Sequence, residues 1–240
     1  MALNKLSIIV LAGGYGTRIK PILGKVPKLL APIKGFPFFE FFFNWLKNSL
    51  NNINFDLVIS SGIGHDELSY YFSENYNFVK LVKEEEPLGT FGAVLNSFKE
   101  CRNNNILILN GDTIFDVCLE NVFLDYLKLK NNPLHIVKRS SLNERYGGYE
   151  IVNGILKLSE KNTSLISMGA TFVHKDKLGE SQNLEELNTA KPLMMDKHFI
   201  SRYNSKAYIL EENINFIDIG TPESLSKAQY FIPTLLENNL

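Results

Sequence analysis

Four short apolar runs in the first half of the chain, each followed by a longer amphipathic stretch, limit the fold more than any other feature. LSIIVLA (6–12), FDLVIS (55–60), FVKLVK (78–83) and ILILN (106–110) read as strands. Residues 37–50, 65–73, 89–101 and 119–130 carry helix-like patterns. Alternation at this spacing predicts an α/β fold with a largely parallel sheet flanked by helices, and a ligand beyond the carboxyl ends of its strands.

After residue 132 the spacing tightens. LHIVKR, GGYEIV, GILKLS and ISMGATFVH are short strands close together, with VNG at 152–154 as a hairpin turn. A helix-like stretch near 184–198 follows, then AYILEE, NFIDIG and a final helix from Pro222. No repeat or long linker interrupts the chain. One domain over 1–240 is expected, with an antiparallel second half (133–240) covering one end of the sheet built by the first (1–132).

Composition narrows the partners. Lys+Arg of 25 against Asp+Glu of 26 leaves a net charge of -1, so nothing points to nucleic acid or an anionic membrane, and any basic site is local. Cys101 and Cys118 form no disulfide framework and no metal-type spacing. With no signal-peptide layout and no apolar run of spanning length, a cytoplasmic location is expected. FPFFEFFFNWL (36–46) is the most apolar stretch; interrupted by Glu40 and Asn44, it reads as a heavily buried helix.

Behind the first strand stands LAGGYGTRIKPILGKVPKLLAP (11–32). A dinucleotide fingerprint would need a third glycine where Ile19 stands, and a P-loop ending in Gly24-Lys25 would need glycine at Ile19 and Ser or Thr at Val26. The physics survives without either template. A strand ending in Gly13, Gly14 and Gly16 lets backbone N–H groups approach an anion closely. Arg18 can fork onto phosphate oxygens and Lys28 can add a movable charge. A tight βα turn that binds nothing has the same glycine spacing; the two cations favour the anion.

The whole pattern resembles the sugar-1-phosphate nucleotidyltransferases. Gly13-Gly14-Tyr15-Gly16-Thr17-Arg18 and Pro27-Lys28 match the family's first signature, and EEEPLGTFGA (84–93), NGDTIFDV (110–117), SEK (159–161) and FIDIGTPESL (216–225) follow in order. The resemblance implies a Rossmann-like mixed sheet, Mg²⁺, and attack by a sugar 1-phosphate oxygen on the α-phosphorus of a nucleoside triphosphate, giving a nucleotide sugar and pyrophosphate. It assigns the nucleotide to Leu11, Ala12, Gly13, Gly14, Tyr15, Gly16, Thr17, Glu84, Pro87, Gly89, Thr90 and Gly111. Arg18 would hold the triphosphate and Lys28 would sit near the α-phosphate. A homodimer is expected on the same ground alone.

Asp112 and Asp218 each follow an apolar strand, so both can converge on Mg²⁺ with phosphate and water completing its shell. The resemblance makes them the metal aspartates, with Asp116 a lesser candidate. It places Glu160, Tyr146, Gly147 and Gly169 on the sugar side, with Lys161 meeting the sugar phosphate. No general base is needed, because the attacking phosphate is already ionised. His65, His135, His174 and His198 are scattered, and each reads as a surface or satisfied core residue.

The base is expected to lie against Gly89, with Glu84 choosing it. A carboxylate only accepts, and guanine offers two adjacent donors, so GTP is expected; Glu85 or Glu86 would serve if the register slips. The short form of the chain most resembles the D-glycero-D-manno-heptose 1-phosphate guanylyltransferases. Mannose 1-phosphate, or a uridylyl or thymidylyl transfer, is the alternative, and a silent nucleotide-sugar-binding homologue is the rival from another class. Phe91 departs from the small residue usual at its position; it can narrow the pocket, stack on a ligand or pack away from it.

Overall fold

The structure is a computed structural model and describes residues 5–140, 148–159, 164–182 and 192–237. Its strands are β1 (Lys5–Ala12), the two-residue β2 (Pro32–Ile33) and β3 (Phe36–Pro37), β4 (Asn54–Ser61), β5 (Lys80–Lys83), β6 (Asn105–Asn110) and β7 (Thr113–Phe115). The second half adds β8 (Leu134–Arg139), β9 (Gly148–Val152), β10 (Ile155–Leu158), β11 (Leu165–His174), β12 (Lys206–Leu210) and β13 (Phe216–Asp218). Strands β1, β4, β5 and β6 pair in parallel, as the alternation predicts.

Five strands of the second half continue this sheet, while β13 leaves it to pair with β7. Strand β11 lies antiparallel to β6, giving the order β10-β9-β11-β6-β1-β4-β5, and β8 and β12 extend the same nine-stranded sheet from β11. The VNG turn joins β9 to β10 with φ of 52° at Asn153 and 72° at Gly154, the backbone that a tight hairpin requires.

Continuous apolar runs suit strands covered on both faces, and successive residues of β1 divide between two cores. Ile8 and Val10 join Leu57, Ile59, Leu107 and Leu109 on one side, while Ile9 joins Val58, Ile106 and Ile108 on the other. Helices Phe38–Ser49, His65–Asn75, Leu119–Leu127 and Pro222–Glu237 pack on the first face. Helices Gly89–Ser97 and Lys175–Gln182 and a π-helical turn at Met195–Ile200 pack on the second. That turn is the described part of the helix expected near 184–198, and Lys175–Gln182 is a helix that the sequence pattern did not announce.

The phenylalanine-rich stretch is a buried helix. Phe38, Phe39, Phe42, Trp45 and Leu46 are buried, and Trp45 Nε1 donates to the Phe115 carbonyl at 2.8 Å, seating the helix on β7. Glu40 interrupts the apolar run because its carboxylate accepts from the hydroxyls of Tyr71 and Tyr76. Among the described residues no helix is long and apolar enough to cross a membrane.

Candidate active site

A cleft of about 370 Å³ opens at the carboxyl ends of the parallel strands. Leu11 and Ala12 end β1, Ile63 follows β4, Glu84 follows β5, and Asn110 ends β6 with Gly111 and Asp112 just after it. Gly13, Gly14, Tyr15, Pro27, Lys28 and Leu29 form one wall; Pro87, Gly89, Thr90 and Ala93 form the other. The cleft therefore gathers most of the residues expected to hold a nucleotide. Gly16 and Thr17 do not line it: the Gly16 carbonyl accepts the N–H groups of Ile19 and Lys20 and closes the loop.

The glycines of the loop differ in why they are glycine. A Cβ on Gly13 would stand 2.2 Å from Glu84 Oε1, so the bare backbone makes room for that carboxylate. A Cβ on Gly14 would meet nothing within 4 Å, so the fold does not itself require glycine there. Its smoothness faces the cleft.

Glu84 is held in place. Its N–H donates to the Ser61 carbonyl at 2.7 Å, and Oε1 accepts from Ser60 Oγ at 3.1 Å. It borders both the main cleft and an adjoining hollow, whereas Glu85 and Glu86 reach only the hollow. The register thus puts Glu84, not its neighbours, in the cleft.

A second pocket of about 160 Å³ adjoins the first, sharing Asn110 and Asp112 with it. Strand β13 pairs antiparallel with β7, setting Asp218 opposite Thr113 and so beside Asp112. Arg18, Ser167, Met168, Gly169 and Phe216 complete the lining. Arg18, expected at the triphosphate, thus stands with the two aspartates and Gly169. At the junction Lys28 Nζ donates to Asp112 Oδ2 at 2.6 Å, an ion pair with side chains 26% and 23% exposed. Asp112 Oδ1 accepts from Thr113 Oγ1 at 3.1 Å, and Asp218 Oδ1 accepts the Gly220 N–H at 2.9 Å.

Two carboxylates, the oxygen donors that a hard divalent cation takes, share this pocket. Mg²⁺ is held by one or two carboxylates plus substrate phosphates and water, not by a protein-only cage.

The structure adds reasons that the sequence did not show. Gly89 lines the cleft, and the fold itself requires glycine there: its φ is +77°, and a Cβ would stand 2.4 Å from the Leu193 carbonyl oxygen. The Phe91 N–H donates to that oxygen at 2.8 Å, and the Leu193 N–H donates to the Leu88 carbonyl at 2.8 Å. Thr90 Oγ1 accepts the Met195 N–H at 2.9 Å, so this hydroxyl braces the same segment. Phe91 is 0% exposed and packs on Phe199 with ring centroids 5.2 Å apart, so it neither narrows the cleft nor stacks on a ligand. Asp116 lies away from both pockets, beside Trp45 and Cys118. Tyr146, Gly147, Glu160 and Lys161 lie outside the described residues.

Sequence reasoning missed Asn110, Ile63, Pro192, Met194, Ser167 and Phe216. Asn110 carried a usable signal, a polar residue ending an apolar strand immediately before Gly111. Pro192 and Met194 carried none, because they reach the cleft through a contact a hundred residues away in sequence. The histidines are satisfied as expected: His65 Nδ1 pairs with Ser61 Oγ at 2.8 Å, His174 Nδ1 with Asp176 at 3.2 Å, and His198 Nδ1 with the Met194 N–H at 2.8 Å.

Comparison with known proteins agrees with this geometry. The family model described as nucleotidyl transferase matches residues 7–234. A D-glycero-alpha-D-manno-heptose 1-phosphate guanylyltransferase of Aneurinibacillus thermoaerophilus is 30% identical over 230 residues, covering 93% of this chain and 97% of that one. The enzyme of the same name from Campylobacter jejuni is 31% identical over 228 residues, with 91% and 96% covered. The crystal structure of HddC from Yersinia pseudotuberculosis shares the fold, with a TM-score of 0.75 at 24% identity over 93% of this chain and 97% of that one. A family match spanning nearly the whole chain, joined to relatives matched end to end, shows that this protein belongs to the nucleotidyl transferase family.

Proposed function

We propose that the enzyme transfers GMP from GTP to a heptose 1-phosphate, releasing pyrophosphate. The observation that carries this reading is the junction at Asp112: a glycine-walled cleft and an acidic pocket share one strand end, with Lys28 between them. A donor nucleotide in the first and an acceptor sugar phosphate in the second would meet there. The 30% and 31% identical relatives are named for this transfer, which supports guanine and heptose as the substrates.

Each residue then has a task. The loop around Gly13 and Gly14 gives phosphate oxygens access to backbone N–H groups. Lys28 offsets charge where two anions approach, and Arg18 offers its planar fork to phosphate oxygens on the acidic side. Glu84 accepts from guanine N1–H and N2–H₂. Asp112 and Asp218 would hold Mg²⁺, which when bound neutralises phosphate charge. Positioning and charge neutralisation make up most of such a transfer, and no side chain need remove a proton.

Pyrophosphate release from GTP and Mg²⁺ with a panel of sugar 1-phosphates tests the assignment. Turnover is expected with a heptose 1-phosphate. No turnover of any heptose 1-phosphate would overturn the acceptor, and faster release from UTP, dTTP or CTP would overturn the base.

A further inference from the structure

Behind the second pocket lies a polar cluster that the transfer itself does not use. Strand β11 shifts register against β8 between Ser167 and Ala170, leaving Met168 and Gly169 as extra residues. Gly169 has a φ of +65° and lies so near Asn110 that a Cβ would stand 2.3 Å from Nδ2. This bulge is part of the pocket wall. Ser167 closes it, its Oγ accepting the Gly169 N–H at 3.0 Å.

Ser167 Oγ is itself held from behind. It lies 2.9 Å from Nε2 of His135, whose Nδ1 lies 2.7 Å from Thr171 Oγ1. His135 is 2% exposed, faces Thr171 across the β8–β11 pair, and packs on the Tyr149 ring at 5.3 Å. Tyr149 in turn donates to Asp196. Burial pushes His135 down to about 4, so the ring is neutral near pH 7 and has one donor and one acceptor for its two hydroxyl partners. One partner ends inside the sheet. The other is on the wall of the pocket.

We propose that His135 is a positioning residue for the acceptor sugar 1-phosphate: by fixing the Ser167 hydroxyl it fixes the bulge at Met168 and Gly169, and so sets acceptor affinity without touching the acceptor. This rests on reading the second pocket as the acceptor site.

The two ring nitrogens supply the test. A glutamine amide reaches roughly where Nε2 stands, while an asparagine amide reaches only as far as Nδ1. His135→Gln therefore keeps the arm to Ser167, and His135→Asn keeps only the arm to Thr171. In steady-state assays His135→Asn and Ser167→Ala are expected to raise KM for the sugar 1-phosphate about tenfold, the effect of one lost hydrogen bond, with KM for GTP unchanged. His135→Gln is expected to recover most of that loss. An unchanged acceptor KM in Ser167→Ala, or an equal rise in both KM values, overturns the proposal; that small truncation keeps the test available should His135→Asn fail to fold. Equal acceptor KM values in the Gln and Asn variants also overturn it. A wild-type enzyme that releases pyrophosphate with no sugar 1-phosphate at all refutes the acceptor site first, and the inference with it.

Discussion

Replacing Gly89 by alanine separates a glycine kept for the fold from one kept for a ligand. At φ +77° an L-residue costs about 1–2 kcal/mol. The new Cβ would also lie 2.4 Å from Leu193 O and 2.8 Å from Leu193 N, so the backbone of that segment must withdraw. Withdrawal breaks the bonds from Phe91 N–H to Leu193 and from Leu193 N–H to Leu88, at about 1 kcal/mol each. Reduced freedom of the unfolded chain returns about 0.4–1 kcal/mol. The net expectation is a loss of about 3 kcal/mol in urea unfolding, or a fall of roughly 6–12 °C in Tm for a chain of this length. Gly14→Ala is the control. Nothing lies within 4 Å of its Cβ, so its stability should hold within about 0.5 kcal/mol while KM for GTP rises. A loss below about 1 kcal/mol for Gly89→Ala would refute the claim that Leu193 dictates that glycine, and equal losses in both variants would refute the distinction.

Asp112→Asn should abolish Mg²⁺-dependent pyrophosphate release with little change in Tm, because a partly exposed ion pair such as Lys28–Asp112 contributes under about 1 kcal/mol; retained turnover removes Asp112 from the metal site. Glu84→Gln should lower kcat/KM for GTP by about tenfold or more, since a bond to a charged acceptor contributes roughly 1.5–3 kcal/mol, and an unaltered preference for GTP over UTP would show that another group reads the base. His135 predicts a pH dependence of stability. Its folded pKa of about 4 lies below the ordinary 6.5 because burial penalises the cation, so the unfolded chain takes up the proton first. The stability it protects is complete above pH 6.5 and is lost as pH falls towards 4. Between pH 7 and pH 5 this loss is about 2 kcal/mol; it should be absent from the stability curve of His135→Gln and so appear in the wild-type-minus-variant difference, or the ring is not neutral in the fold.

What could be read from the sequence was whatever repeats locally or recurs as a motif. Ile8, Ile9 and Val10 announce a strand covered on both faces because each has an apolar side to fill, and Asn153-Gly154 announces its turn because few residues adopt those backbone angles. Asp112 and Asp218 were legible because each ends an apolar run. Non-local contacts were not legible. The reason for Gly89 lies in Leu193, and the reason for Phe91 lies in Phe199. Nothing near residue 90 in sequence carries either fact, so a contact with the base was the simplest local explanation for a glycine that the protein's own backbone requires. Ser167 was hidden in the same manner, since only the bulge in β11 turns it towards His135 and the pocket together.

The adjacency of the two pockets follows from where the sheet changes direction. Strand β6 has a parallel neighbour in β1 and an antiparallel one in β11. The parallel neighbour ends at the same edge as β6, so the glycine loop after Ala12 emerges beside Asn110. The antiparallel neighbour runs the other way and meets that edge in mid-strand, where Ala170 pairs with Leu109 and Gly169 crowds Asn110. A regular strand would pass there without opening a site. The bulge at Met168 and Gly169 is what makes a pocket of it, and Asp112 is left facing both sides. Were β11 parallel to β6, its carboxyl end would bring a loop to this edge, and no wall would be fixed by a buried histidine in the next strand. The mixed sheet thus joins a cleft walled largely by loops to a pocket walled in part by a bulged strand, and Lys28 and Asp112 stand at the seam.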